Sequence, residues 1–119
     1  MAAKTARLYL EHIHDAIDLI EQYARGRQRS DLDHDPMLRQ AIERNIEIVS
    51  EASRRLPADM KARYPDLPWP AIAAIGNVLR HEYYTVELDV IWRVATRDLR
   101  PLAAAVDALL AEVLRDWPK

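Results

Sequence analysis

Leu10, Ile13, Ile17 and Ile20 fall at i, i+3, i+7 and i+10, and Ala6 and Ala24 extend the same stripe. That spacing gathers apolar side chains on one face of an α-helix, whereas a strand would scatter them over both of its faces. It returns at Leu38, Ile42, Ile46, Val49 and Ala52, and again at Leu102, Val106, Leu109, Leu110, Val113 and Leu114. No run alternates β-branched and polar residues long enough to make a sheet. Only two of the 119 residues are glycine, and Ala, Leu, Ile, Glu and Arg dominate, which favours helix. The expected fold is therefore all-α, a bundle of four to five helices in a single domain spanning residues 1–119.

Helical periodicity covers residues 4–28 and is broken by the polar stretch from Arg25 to Pro36. Asp35 followed by Pro36 suits an N-cap and a first helical position. The second long helix is expected from Pro36 to about Leu56. Four prolines between Pro57 and Pro70 mark a connector with room for one helical turn. A third long helix should start at Pro68 or Trp69, and a fourth should run from Thr85 or Glu87 through Trp92 and Val94. Asp98 and Pro101 suggest a kink before a last helix from Leu99 to Trp117.

The formal net charge of −2 and the pI of about 6.1 give no bulk attraction for nucleic acid, so any such contact must be local. Without cysteine the chain has no disulfide, thiolate metal site or thiol nucleophile. The N-terminus becomes charged too early for a secretory leader. No apolar run reaches the roughly 18 residues of a membrane span. A cytoplasmic protein is the expectation, with no membrane partner.

Several polar clusters have ordinary explanations. Asp31, Asp33 and Asp35 resemble the opening of a calcium loop, but Pro36 stands where glycine is needed and Ile42 where the bidentate glutamate belongs. His12 and His14 point to different faces of their helix. Glu43, Glu47 and Glu51 recur every four residues as a carboxylate stripe, which is a solvated face or a scaffold for a facing Arg or His.

The segment Ile75-Gly76-Asn77-Val78-Leu79-Arg80-His81-Glu82-Tyr83-Tyr84 differs. Ile72, Ile75 and Leu79 form one face, suited to the core. Asn77, Arg80, His81 and Tyr84 form another, with Tyr83 beside it. Histidine exchanges protons near neutral pH. Arginine binds phosphate oxygens and steadies developing negative charge, and asparagine can orient an imidazole or a substrate oxygen. Cutting RNA without a metal needs such groups. One takes the 2′-hydroxyl proton, another protonates the leaving oxygen, and a cation stabilises the crowded phosphate. A purely structural polar cluster is the competing reading.

From Pro68-Trp69 through Gly76-Asn77 to His81-Glu82-Tyr83 the chain resembles HepT-like proteins of the HEPN superfamily, in which Pro-Trp leads into a helix bearing Arg-Asn, three residues, then His-x-Tyr. The resemblance continues through Val86–Trp92 and Asp98–Leu102 and reaches back to Glu43–Ala52. It implies a small helical bundle that dimerises so that two Arg–His motifs meet across a cleft. It also implies a metal-independent endoribonuclease, the toxin of a toxin–antitoxin pair, without cofactor or metal. The implied partner is a minimal nucleotidyltransferase antitoxin that transfers AMP to the Tyr of His-x-Tyr, here Tyr83. Added bulk and negative charge beside the catalytic groups would obstruct RNA.

One position departs from the pattern. The family places four to six residues between the Arg and the His, and the matching Arg positions are Gly76, Ile75 and Ala74. Gly76 stands where Arg is usual, directly before Asn77. Arg80, about 100° around the helix from His81, is the nearby cation. A glycine inside a helix costs about 1 kcal/mol relative to alanine, and here it suggests close approach of another backbone or a ligand. Two readings follow. In the first, His81, Arg80 and Asn77 are catalytic, supported by Tyr84, Glu47, Glu51 and Gly76. In the second, a HEPN module has lost cleavage and binds a nucleotidyltransferase or RNA.

Overall fold

The computed structural model describes residues 2–82 and 88–116, with the side chains of residues 4–80 and 88–116. The chain forms α1 (Ala2–Ala24), α2 (Asp31–His34), α3 (Pro36–Arg54), α4 (Ala58–Ala62) and α5 (Trp69–Glu82). Then come α6 (Leu88–Arg93), a π-helix (Val94–Asp98) and α7 (Arg100–Arg115). The all-α expectation holds, with four long helices carrying the fold. The start of the fourth expected helix at Thr85 or Glu87, and Trp117 at the end of the last, lie outside the described residues.

The helix ends follow local chemistry. α1 stops at Ala24, short of the periodic pattern, because Gly26 turns into the left-handed region at φ 74°. The following polar stretch is not all loop. Asp31–His34 make one helical turn that tucks Leu32 into the core at 1% exposure. α3 begins as expected, with the Asp35 carboxylate accepting from the Leu38 N–H at 3.1 Å and Pro36 in the first turn. The kink expected between Asp98 and Pro101 is a π-helix, in which the Leu99 N–H donates to the Val94 carbonyl at 3.2 Å. Pro101 has no N–H for the Arg97 carbonyl and its ring would crowd that oxygen, so the preceding turn widens.

The three apolar stripes meet in one core. Leu10, Ile13 and Ile20 of α1, Ile42, Ile46 and Val49 of α3, and Leu102, Val106 and Leu109 of α7 are all essentially inaccessible. α1 is the central helix, packed against α3 on one side and α7 on the other, while α5 lies on the outer side of α3. Between α5 and the α6–π-helix segment an apolar hollow of about 510 Å³ remains, floored by Ile46 and Val49 of α3. No helix among the described residues is long and apolar enough to cross a membrane.

Candidate active site

α5 is fixed at both its start and its middle. The Trp69 indole N–H lies 3.1 Å from the Lys61 carbonyl and 3.0 Å from that of Tyr64, tying the helix to the connector. Leu79 is buried and Ile72 and Ile75 are partly so, which makes this the anchoring face expected from the sequence.

α5 approaches α3 closely at Gly76. A β-carbon there would lie 2.6 Å from Ser50 Oγ and 2.7 Å from Ser50 Cβ, with the Glu47 Cα at 3.5 Å. The glycine is thus explained by a neighbouring helix. Ser50 Oγ, in a residue 2% exposed, donates to the Ala73 carbonyl at 2.8 Å and accepts from the Gly76 N–H at 3.1 Å. The Arg54 guanidinium donates to the same Ala73 carbonyl through Nε and Nη2, both at 3.1 Å. Ser53 Oγ donates to the Ser50 carbonyl at 2.7 Å, one turn back along α3. Sequence reasoning did not single out Ser50, and it offered Arg54 only as a cation to relieve the Glu43, Glu47 and Glu51 stripe, whereas Arg54 bonds the Ala73 carbonyl. The glycine signalled a close approach, but nothing local named its partner.

These contacts set an antiparallel register. Arg54 meets Ala73, and Ser50 and Glu47 meet Gly76, so Glu43 stands one turn further toward the end of α5 that carries Arg80. Glu47 is half-buried beside the seam. Glu43 is more enclosed, its side chain 17% exposed and 3.4 Å from Arg39. Burial pushes its carboxyl above the ordinary range, Arg39 pulls it back, and like-charged Glu47 raises it again. Glu51 turns away and pairs with Arg55 at 3.2 Å.

Asn77 and Arg80 are exposed on α5. Arg80 makes no ion pair or hydrogen bond with another described residue. The backbone of His81 completes the last turn of α5, while its side chain, and all of Tyr83 and Tyr84, lie outside the described residues. α5 therefore offers a guanidinium unpaired among the described residues and a carboxamide just before the histidine, with a carboxylate pair on the adjoining helix.

The ribonuclease HepT-like family matches residues 13–109. The chain belongs to that family. Among its relatives, the probable ribonuclease HepT of Thermococcus cleftensis is 35% identical over 101 residues, spanning 85% of this chain and 92% of that protein. A candidate RNase of Caldanaerobacter subterraneus is 33% identical over 107 residues, spanning 90% and 96%. A Methanocaldococcus jannaschii protein named as a gamma-glutamylcyclotransferase and candidate RNase is 31% identical over 110 residues, spanning 92% of this chain but 50% of its own length. No solved structure gives a significant match. HepT-like membership agrees with the helical bundle and supports a ribonuclease. In this HepT-like chain position 76 faces α3, so a long side chain there would have to part the two helices.

Proposed function

We propose that the protein is the metal-independent endoribonuclease of a toxin–antitoxin pair, working in the cytoplasm as a homodimer. The observation carrying this reading is the division of labour along α5. Position 76 is committed to the Ser50 contact, whereas Arg80, one turn on and next to His81, is exposed and makes no ion pair or hydrogen bond with another described residue. Arg80 takes the phosphate-stabilising role that the family gives to a preceding arginine, and Asn77 orients the imidazole or the substrate.

The chemistry needs a base to take the 2′-hydroxyl proton as that oxygen attacks the neighbouring phosphorus. It needs an acid to protonate the departing 5′-oxygen. One chain brings one His81, and two copies across a two-fold cleft supply both roles. The products are a 2′,3′-cyclic phosphate and a 5′-hydroxyl. A minimal nucleotidyltransferase antitoxin neutralises the enzyme by forming a bond between the Tyr83 oxygen and the AMP phosphorus, with pyrophosphate leaving from ATP. The new phosphodiester places bulk and negative charge two residues from His81.

Purified protein incubated with RNA in EDTA is expected to cut, and His81→Ala is expected to lose at least about a hundredfold in rate, the usual contribution of a general acid or base. Equal cutting by both proteins would sink the assignment. If the wild type does not cut, the same fold serves as a binding module for the nucleotidyltransferase or for RNA. Mass spectrometry after incubation with the antitoxin and ATP should place AMP on Tyr83, and AMP on any other residue would refute that mapping.

A further inference from the structure

The π-helix separates two hollows whose charged linings are uneven. The first, about 240 Å³, lies between α1 and the start of α7 and includes Glu21, Arg25, Thr96 and Arg100. The second, the apolar hollow beside α5, carries Arg93, Arg97 and Asp98. Four arginines thus face two carboxylates, leaving positive charge in excess on a chain of formal net charge −2. Asp98 is shared, 3.2 Å from Arg93 Nε and 3.2 Å from Arg97 Nε. Arg25 and Arg100 are exposed and make no ion pair with another described residue, and Glu21, four residues before Arg25, offsets one of them in part. The Thr96 hydroxyl is committed to the Trp92 carbonyl at 2.7 Å, so the arginines carry what binding capacity the surface has.

Arg25 and Arg100 lie toward the end of the bundle where α3 starts and α5 ends, while Arg97 borders Pro68, Ala71, Ile72 and Ile75 in the first half of α5. α1 and α7 run antiparallel, with His14 3.2 Å from Asp107 and Arg25 beside Arg100. α3 and α5 run antiparallel, so the end of α5 lies by the start of α3. Between α1 and α3 the loop is tied down by Arg27 to Asp35 at 3.7 Å, by Arg29 to Asp33 at 2.7 Å, and by Arg29 to Asp89 of α6.

We propose that Arg25, Arg97 and Arg100, on the two sides of the π-helix, hold the sugar–phosphate backbone of single-stranded RNA whose reacting phosphate sits on the α5 face. The proposal rests on the reading that the protein acts on RNA, and adds the path by which the strand leaves the site. Guanidinium forks from two helices suit phosphate oxygens and impose no base sequence. With Arg97 71% exposed and Arg25 and Arg100 on the surface, the contacts need no rearrangement of the core.

The test is the salt dependence of binding to a fluorescein-labelled single-stranded RNA with 2′-O-methyl riboses, which cannot be cut through a 2′-hydroxyl. Each phosphate neutralised contributes about 0.7 to the slope of log affinity against log salt, so the triple variant Arg25→Gln/Arg97→Gln/Arg100→Gln should flatten that slope by about 2. A control triple of equal charge at the other end of the bundle, Lys4→Gln/Arg63→Gln/Arg115→Gln, should leave the slope within 0.5 or so of wild type on the same scale. An unchanged slope in the first triple, an equal loss in both triples, or no salt-dependent binding by the wild type overturns the proposal. Because the probe cannot be cut, a failure of the nuclease reading would appear separately, as an absence of cleavage of ordinary RNA.

Discussion

At the scale of single residues, Gly76 and Ser50 behave as one unit. Gly76→Ala would gain about 1 kcal/mol of helix propensity. Against this, its methyl would stand 2.7 Å from Ser50 Cβ, an atom that no rotation of the hydroxyl can move. Overpacking of this kind costs about 1–3 kcal/mol and should win. In a Ser50→Gly background both clashing atoms disappear and the next neighbour, the Glu47 Cα, is at an ordinary 3.5 Å. There the same Gly76→Ala change should be neutral or stabilising by up to about 1 kcal/mol. Urea denaturation of the four proteins measures this reversal, and equal destabilisation in both backgrounds would contradict it. Glu43 offers a pH test. Its folded carboxyl is raised by burial, so the unfolded chain gives up its proton first as pH rises past about 4.3. Stability is lost across the window just above that value and stays lower at neutral pH. Glu43→Gln should therefore raise the melting temperature at pH 7, with the gain shrinking toward pH 3, where the carboxyl is protonated in both states. A gain that is the same at both pH values would point to another cause.

At the scale of elements, long helices were legible and their special turns were not. The stripe from Leu38 to Val49 and the Asp35–Pro36 start predict α3 because both signals are local. Asp35→Ala should cost about 1 kcal/mol as the Leu38 N–H loses its acceptor, measured by thermal melting. The one-turn α2 was hidden because its anchor, Leu32, sits among aspartates, and only tertiary burial makes that turn stable. Pro101 signalled a break, but a widened turn and a full stop look alike in sequence. The site was half legible. Asn77, Arg80 and the apolar face opposite them follow from helical spacing. The Ser50 contact spans 26 residues and two elements, and no periodicity encodes such a pairing. Glu51 was grouped with Glu47 by spacing alone, yet Arg55 on the same helix draws it away.

For the whole molecule, the connector between α3 and α5 is held from outside the core. Arg63 meets the Glu112 carboxylate of α7 at 2.7 and 2.6 Å, and Arg63 holds that carboxyl below its ordinary range. A carboxyl lowered in this way favours the folded state above the unfolded value of about 4.3, and the benefit fades as pH falls. Glu112→Gln should speed tryptic cleavage within residues 57–68 at pH 8 without moving the global melting temperature by more than about 2 °C, since exposed pairs contribute little to overall stability. Unchanged cleavage would show that the Arg63–Glu112 pair does not hold the connector, leaving it to Trp69 and to Lys61, whose ammonium lies 3.3 Å from the Ser53 carbonyl.

The seam between α3 and α5 also limits how this sequence could change over generations. An arginine introduced at position 76 would be unfavourable on its own, because the room it needs is filled by the side chain at position 50. Position 50 would have to shrink first, giving up the hydrogen bonds to Ala73 and Gly76 before any benefit returned. The two positions are thus epistatic. The barrier to an arginine at position 76 is set by one hydroxymethyl group on the facing helix.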